Sequence, residues 1–161
     1  MTHCRIVFIL SLSALLLMAA CAPEERTLCY SYRAVAADGW ERHDAVTFTC
    51  DTVRQSGDYD FTIGLRTTSA YPFQNLWLLV SQHYTNPDTM VVDTLYCTLT
   101  DPTGRNHGHG VSLYEQLFPL KHVHMNVGQT VDIHVNHIMR RPILPGITDV
   151  GIIIKRKENN Q

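Results

Sequence analysis

The chain has 161 residues, with 13 Lys and Arg against 15 Asp and Glu and a formal net charge of −2 when its nine histidines are neutral. That is the size of one domain, and the charge balance excludes a nucleic-acid binder, which needs a basic surface to neutralise phosphates. An apolar share of 45% and a charged share of 17% exclude an intrinsically disordered chain and fit a globular one rich in strand and turn formers.

Arg5 precedes an uncharged run from Ile6 to Ala20. The run is shorter than the roughly 20 apolar residues of a spanning helix. A positive start, a short apolar middle and small residues at the end read instead as a secretory signal that is removed. Met18-Ala19-Ala20-Cys21 resembles a bacterial lipobox, so residues 1–20 are expected to be a cleaved lipoprotein signal peptide and Cys21 the lipidated new N-terminus. Several acyl chains on such a cysteine hold a protein stably where one chain does not. Glu24 and Glu25 resemble the acidic export tag of surface lipoproteins, within a short lipidated tether over 21–27. The folded domain is expected over 28–157, with a disordered tail over 158–161.

Within the domain, period-two alternation dominates. Val46, Phe48 and Cys50 alternate with Thr47 and Thr49, and Tyr59, Phe61, Ile63 and Leu65 alternate with Asp58, Asp60, Thr62 and Arg66. Residues 76–80 are apolar on both faces, as in a central, well covered strand. Val91, Leu95, Cys97 and Leu99 share a face interrupted by Asp93. Val111–Leu117 reads as one helical turn or an irregular edge. Val131, Ile133 and Val135 form another inward row, and Val150, Ile152 and Ile154 the last. Turn chemistry at Asn86-Pro87-Asp88, Asp101-Pro102-Thr103-Gly104 and Leu144-Pro145-Gly146 separates these runs. Seven to nine short strands predict an all-β fold, an antiparallel β-sandwich or jelly roll in a single domain.

Once the signal and Cys21 are set aside, Cys29, Cys50 and Cys97 remain. Three thiols allow at most one internal disulfide. Cys50–Cys97 is the expected pair because both fall on core-facing positions; buried unpaired thiols are the alternative. The pairs His107/His109 and His122/His124 each share a strand face, but two local pairs do not make the three or four convergent ligands of zinc. No metal and no cofactor are expected. Gly-x-Ser-x-Gly, His-Glu-x-x-His and phosphate-loop patterns are absent, so the chain is not expected to be an enzyme and no catalytic residue is assigned.

Trp40, Tyr71, Phe73 and Trp77 fall at loops and strand ends, where rings either close the core or face a sugar or a protein partner. The runs Arg140-Arg141-Pro142 and Lys155-Arg156-Lys157 either meet anionic headgroups or keep strand edges soluble.

Several blocks then follow in an order that resembles the GldH-type gliding motility lipoproteins of Bacteroidota. They are Gly39-Trp40, Leu65-Arg66, Tyr71-Pro72-Phe73-Gln74-Asn75-Leu76-Trp77-Leu78, Asp93-Thr94-Leu95, Asp101-Pro102-Thr103-Gly104-Arg105, Gly108-His109-Gly110, His137-Ile138-Met139-Arg140 and Gly146-Ile147-Thr148-Asp149-Val150-Gly151. The resemblance spans about residues 38–154. It implies a lipid-anchored outer-membrane protein, non-catalytic, that assembles or stabilises an envelope complex of the gliding and type IX secretion machinery. Partners are then the membrane, through the N-terminal lipid, and envelope motility or secretion proteins; Trp40, Arg66, Tyr71, Phe73 and Arg140 are the candidate contact residues, with Arg66 and Arg140 either partner-facing or paired within the fold. The alternative is a surface module that captures a glycan through its loop aromatics.

Overall fold

The computed structural model describes residues 26–157. The signal segment, Cys21 and the tail from 158 lie outside them. Ten strands follow in order: β1 (Thr27–Ala34), β2 (Trp40–Glu41), β3 (Val46–Thr49), β4 (Gly57–Thr68), β5 (Asn75–Tyr84), β6 (Thr89–Thr98), β7 (Leu113–Met125), β8 (Val131–His137), β9 (Ile143–Leu144) and β10 (Ile147–Arg156). They form two four-stranded sheets, ordered β1-β10-β4-β7 and β3-β8-β5-β6, and a small β2-β9 ribbon. Every pairing is antiparallel. The all-β sandwich expected from the alternation is the fold observed.

The inward rows build one core. Phe61, Ile63 and Leu65 of β4 and Val150, Ile152 and Ile154 of β10 meet Leu76, Leu78 and Val80 of β5 and Val131, Ile133 and Val135 of β8, all buried. Each such side chain stabilises the fold by roughly 1.5–3 kcal/mol relative to exposure. The break at Asp93 has a partner on the facing sheet. Its carboxylate accepts from Lys121 Nζ on β7 at 2.8 Å and from Gln82 on β5 at 2.6 Å. Those hydrogen bonds, the lysine's first, hold the carboxyl below the usual range against the opposing effect of burial.

Two local expectations change. Residues 113–117 are neither a helical turn nor an irregular edge but the start of β7, a thirteen-residue strand at the edge of its sheet. Pro119 sits in β7 at a register shift against β4, the position where an edge strand tolerates a missing N–H. β5 is interior to its sheet but covered on one face only: Leu76, Leu78 and Val80 point in, while Trp77 is 42% exposed and leans on Tyr96 of β6 with ring centroids 4.6 Å apart. Gly151 marks a neighbour packed on bare backbone. It stands opposite Gly64 in the β10–β4 register, and the Tyr32 ring from β1 lies over both. A Cβ on either glycine would come within 2.1–2.6 Å of that ring or its hydroxyl.

His137 shows how polar groups survive inside. It ends β8 with no exposed surface, donates Nε2–H to the Trp40 carbonyl at 3.1 Å, and meets the Trp40 ring edge-on at 5.2 Å. Burial, followed by the charges of Arg42 and His43, depresses its pKa below the ordinary 6.5 although two backbone hydrogen bonds oppose this. Between the depressed folded value and 6.5, the unfolded chain binds more protons than the fold. Stability is therefore fully present above pH 6.5 and declines as pH falls through the window below it. The melting temperature measured from pH 7.5 down to 5 should show this decline, and His137→Gln should flatten it; an unchanged slope in the variant would refute the assignment.

Candidate functional site

The two ends of the sandwich differ. At one end β1 begins, β10 finishes, and Arg156 N–H donates to the Arg26 carbonyl at 2.7 Å. At the other end, two longer connections, 69–74 between β4 and β5 and 99–112 between β6 and β7, converge with the tight turn before β10. Gly146 makes their contact. Its φ is +80°, its carbonyl accepts from Thr68 N–H at 2.8 Å, and a Cβ there would sit 2.2 Å from the Tyr71 nitrogen. Only glycine allows both the backbone conformation and the approach.

The connection after β6 is held by its own side chains. Asp101 Oδ1 accepts from Thr103 N–H at 2.8 Å, the Thr103 hydroxyl at 2.6 Å and Arg105 N–H at 3.0 Å, an Asx turn. The Thr103 hydroxyl and then the Arg105 amide hold this carboxyl below its usual range. Asn106 Oδ1 accepts from Gly108 N–H at 2.8 Å and from Gln116 Nε2 at 2.9 Å, fastening the loop to β7. Leu99 and Thr100 N–H both donate to the Gln74 carbonyl, tying it to the Tyr71–Asn75 segment.

Between these loops lies a cleft of about 480 Å³ walled by Thr67, Ser69, Tyr71, Arg105, Gly108 and Tyr114, among others. Thr67 ends the inward row of β4, and its buried hydroxyl has no hydrogen-bond partner among the described residues. A second cleft of about 570 Å³ lies across the 106–110 strip, lined by His107, His109, Glu115, Gln116, Leu117 and Phe118. The first cleft offers hydroxyls, an amide and one guanidinium, the second two imidazoles, a carboxylate and the apolar side chains of Leu117 and Phe118. Among the described residues, no group of three or more His, Cys, Asp or Glu side chains comes together to hold a metal ion.

Glu115 joins the second cleft to the outer face of its sheet. Its carboxylate accepts from the Tyr32 hydroxyl at 2.9 Å and from Arg66 Nε at 3.2 Å, while the Arg66 guanidinium lies 4.1 Å from the Tyr32 ring centroid. Burial and then the Glu115 hydrogen bond push the Tyr32 phenol well up. Burial works against the Arg66 charge, but the Glu115 hydrogen bond and the charges of Glu115 and Asp149 outweigh it, so its pKa rises. The triad keeps Arg66 in place across the two bare glycines.

The residues singled out by sequence separate accordingly. Trp40 is 1% exposed and donates Nε1–H to the Asp44 carbonyl at 2.8 Å, so it closes the core and offers no ring to a sugar or partner. The sequence left both readings open because β2, which carries Trp40 inward, is too short to show alternation. Tyr71 and Phe73 stand edge-on, 5.7 Å apart and half-buried at the cleft end, with the Tyr71 hydroxyl donating to the Asn75 carbonyl at 2.7 Å. Arg66 is engaged by Glu115. Arg140 is exposed beyond β8, where its carbonyl accepts from Arg42. Tyr32 and Glu115 went unseen, since only the β4–β7 register sets Glu115 opposite Arg66.

The His122/His124 pair lies beside carboxylates. His124 Nδ1 meets Asp58 at 2.8 Å and His122 meets Asp60, each across the β4–β7 ladder on the solvent face. For the thiols, the structure corrects the expected pairing. Cys29, Cys50 and Cys97 are all free and buried. Cys50 and Cys97 belong to opposite edges of one sheet, three strand spacings or on the order of 14 Å apart, beyond the reach of a disulfide.

Among the described residues, no helix is long and apolar enough to cross a membrane. The GldH lipoprotein family matches residues 27–154. Over 157 residues the chain is 27% identical to the gliding motility lipoprotein GldH of Flavobacterium johnsoniae, covering 93% of this chain and 96% of that one. It is also 27% identical over 130 residues to a gliding motility lipoprotein GldH homolog of Christiangramia forsetii, covering 74% and 79%. A solved structure of a family GH115 4-O-methyl-alpha-glucuronidase with specificity for decorated arabinogalactans aligns with 86% of this chain and 19% of its own, at 11% identity and a TM-score of 0.42. Because the family match runs from the first residue of β1 to Ile154 near the end of β10 and so takes in the sandwich, this chain belongs to the GldH lipoprotein family.

Proposed function

We propose that the protein is a non-catalytic, lipid-anchored component of the outer-membrane side of a gliding and type IX secretion apparatus, where it assembles or stabilises a protein complex. The observation that carries this reading is the family match over the entire sandwich. The geometry adds an orientation. Lipidated Cys21 stands six residues before Thr27, a reach of roughly 20 Å even when extended, so the end where β1 begins lies against the bilayer. The loop-lined end is at the other end of β10, because Thr27 pairs Lys155 while Thr67 pairs Ile147. Eight residues of strand put about 26 Å between the two ends. Tyr71, Arg105 and Arg140 then face away from the membrane, where a partner protein would meet them.

Deleting the gene should abolish colony spreading, and the wild-type copy should restore it. Cys21→Ala should remove palmitate label from the protein and release it from the membrane fraction while the domain still folds. Normal spreading of the deletion strain would sink the motility role. Undiminished palmitate on the alanine variant would sink the anchor.

A further inference from the structure

Cys29 and Cys50 come from opposite sheets. Cys29 lies on β1 next to a register shift between Thr27 and Cys29, where the extra residue Leu28 turns inward. Cys29 itself pairs with the inward-facing Ile154. Cys50 follows β3 and extends its ladder, donating its N–H to the Val131 carbonyl at 3.2 Å. The two edge strands face each other across the core, as a second contact shows: Arg33 of β1 stands 5.8 Å from the Phe48 ring of β3. At the Cys29 end of this seam, both thiols are buried and lie close enough to act on each other.

We propose that Cys29 and Cys50 form a disulfide that staples the two sheets together at the membrane-proximal end, with Cys97 left as a buried thiol. In the exchange, one thiolate attacks a disulfide-bearing oxidant, such as an envelope thiol oxidoreductase or oxidised glutathione, and the second thiolate displaces that mixed disulfide. The Cys29–Cys50 bond forms, the oxidant's sulfur–sulfur bond is reduced to two thiols, and these take up the two protons. Position favours this pair over any with Cys97. Cys97 pairs with Leu76 toward the loop-lined end, whereas Cys29 and Cys50 both lie at the opposite end, where β1 begins and β8 starts. Burial pushes Cys97 up to about 12. The bond closes the chain between 29 and 50 and so restricts the unfolded state. Because the oxidant is supplied outside the cytoplasm, formation in the cell rests on the envelope location proposed above.

The test uses the full chain, isolated from cell envelopes in N-ethylmaleimide and unfolded in its presence, with intact mass and peptide mapping as readout. One adduct on Cys97, and two more on Cys29 and Cys50 after reduction, is the expected result. A bonded pair that includes Cys97 overturns the proposal. If three adducts appear, the same chain is isolated reduced and exposed to oxidised glutathione. Formation of the Cys29–Cys50 bond there upholds the pairing and counts against the envelope location; three free thiols after oxidation overturn the pairing wherever the protein resides. The bonded form should melt roughly 10 °C above the reduced form. Cys97→Ala should keep that difference, whereas Cys29→Ser and Cys50→Ser should each abolish it.

Discussion

Gly146→Ala should destabilise the protein by roughly 2–6 kcal/mol, through a left-handed backbone forced on alanine and a Cβ driven into its neighbour. The clash is with backbone: the Tyr71 nitrogen at 2.2 Å, the Ala70 carbonyl carbon at 2.6 Å and the Tyr71 Cα at 2.7 Å. No rotamer change relieves it. Gly104 supplies the control, because its φ of +83° is nearly the same while nothing lies within 4 Å of its added Cβ. Gly104→Ala should therefore cost about 1 kcal/mol, the conformational part alone. The comparison is made by urea unfolding, with a shifted midpoint and constant slope marking a loss of stability. Equal losses for the two variants would mean that the 69–74 loop does not rest on the turn before β10. Because that contact seats the 68–71 segment that walls the loop-lined cleft, Gly146→Ala should also lose function in a spreading assay, whereas Gly104→Ala should keep it.

Trp40→Ala should cost about 3–5 kcal/mol, the range for emptying a buried large aromatic site. The substitution removes the ring that covers His137 and the hydrogen bond to the Asp44 carbonyl. Trp77→Ala is the matched comparison, since that ring is 42% exposed and rests on Tyr96 at the surface. Its loss should be about 1 kcal/mol, the contribution of an aromatic pair. Guanidinium or thermal unfolding separates the two at once. A Trp40 variant as stable as the wild type would return that ring to the surface. Trp40→Ala has a second signature: water reaching His137 relieves its burial, so the loss of stability below pH 6.5 becomes shallower.

The strands whose inward rows are apolar were legible. The Tyr59–Leu65, Val131–Val135 and Val150–Ile154 patterns announce β4, β8 and β10, and the same alternation decides the fold class. β1 and β7 were not legible, for opposite reasons. In β1 the usual pattern is inverted: the large rings of Tyr30 and Tyr32 lie on the outer face, and the inward positions hold Cys29, Ser31 and Arg33. That arrangement works because Gly64 and Gly151 bare the sheet beneath Tyr32, a pairing between residues 87 positions apart. In β7 the inward row includes Gln116 and Lys121, each satisfied by a distant group, and Pro119 breaks the ladder.

The candidate site divides in the same way. Local chemistry sets the Asp101 turn and the glycines, because an Asx turn or a positive φ involves residues a few positions apart. The inward rows, the turns and the blocks that identify the family are likewise written along the chain. Only the tertiary structure decided which aromatic goes inside, which carboxylate holds Arg66 and which cysteine meets Cys50. These depend on register and on how two sheets face each other. A one-residue slip reverses every side chain, so no local pattern carries that information.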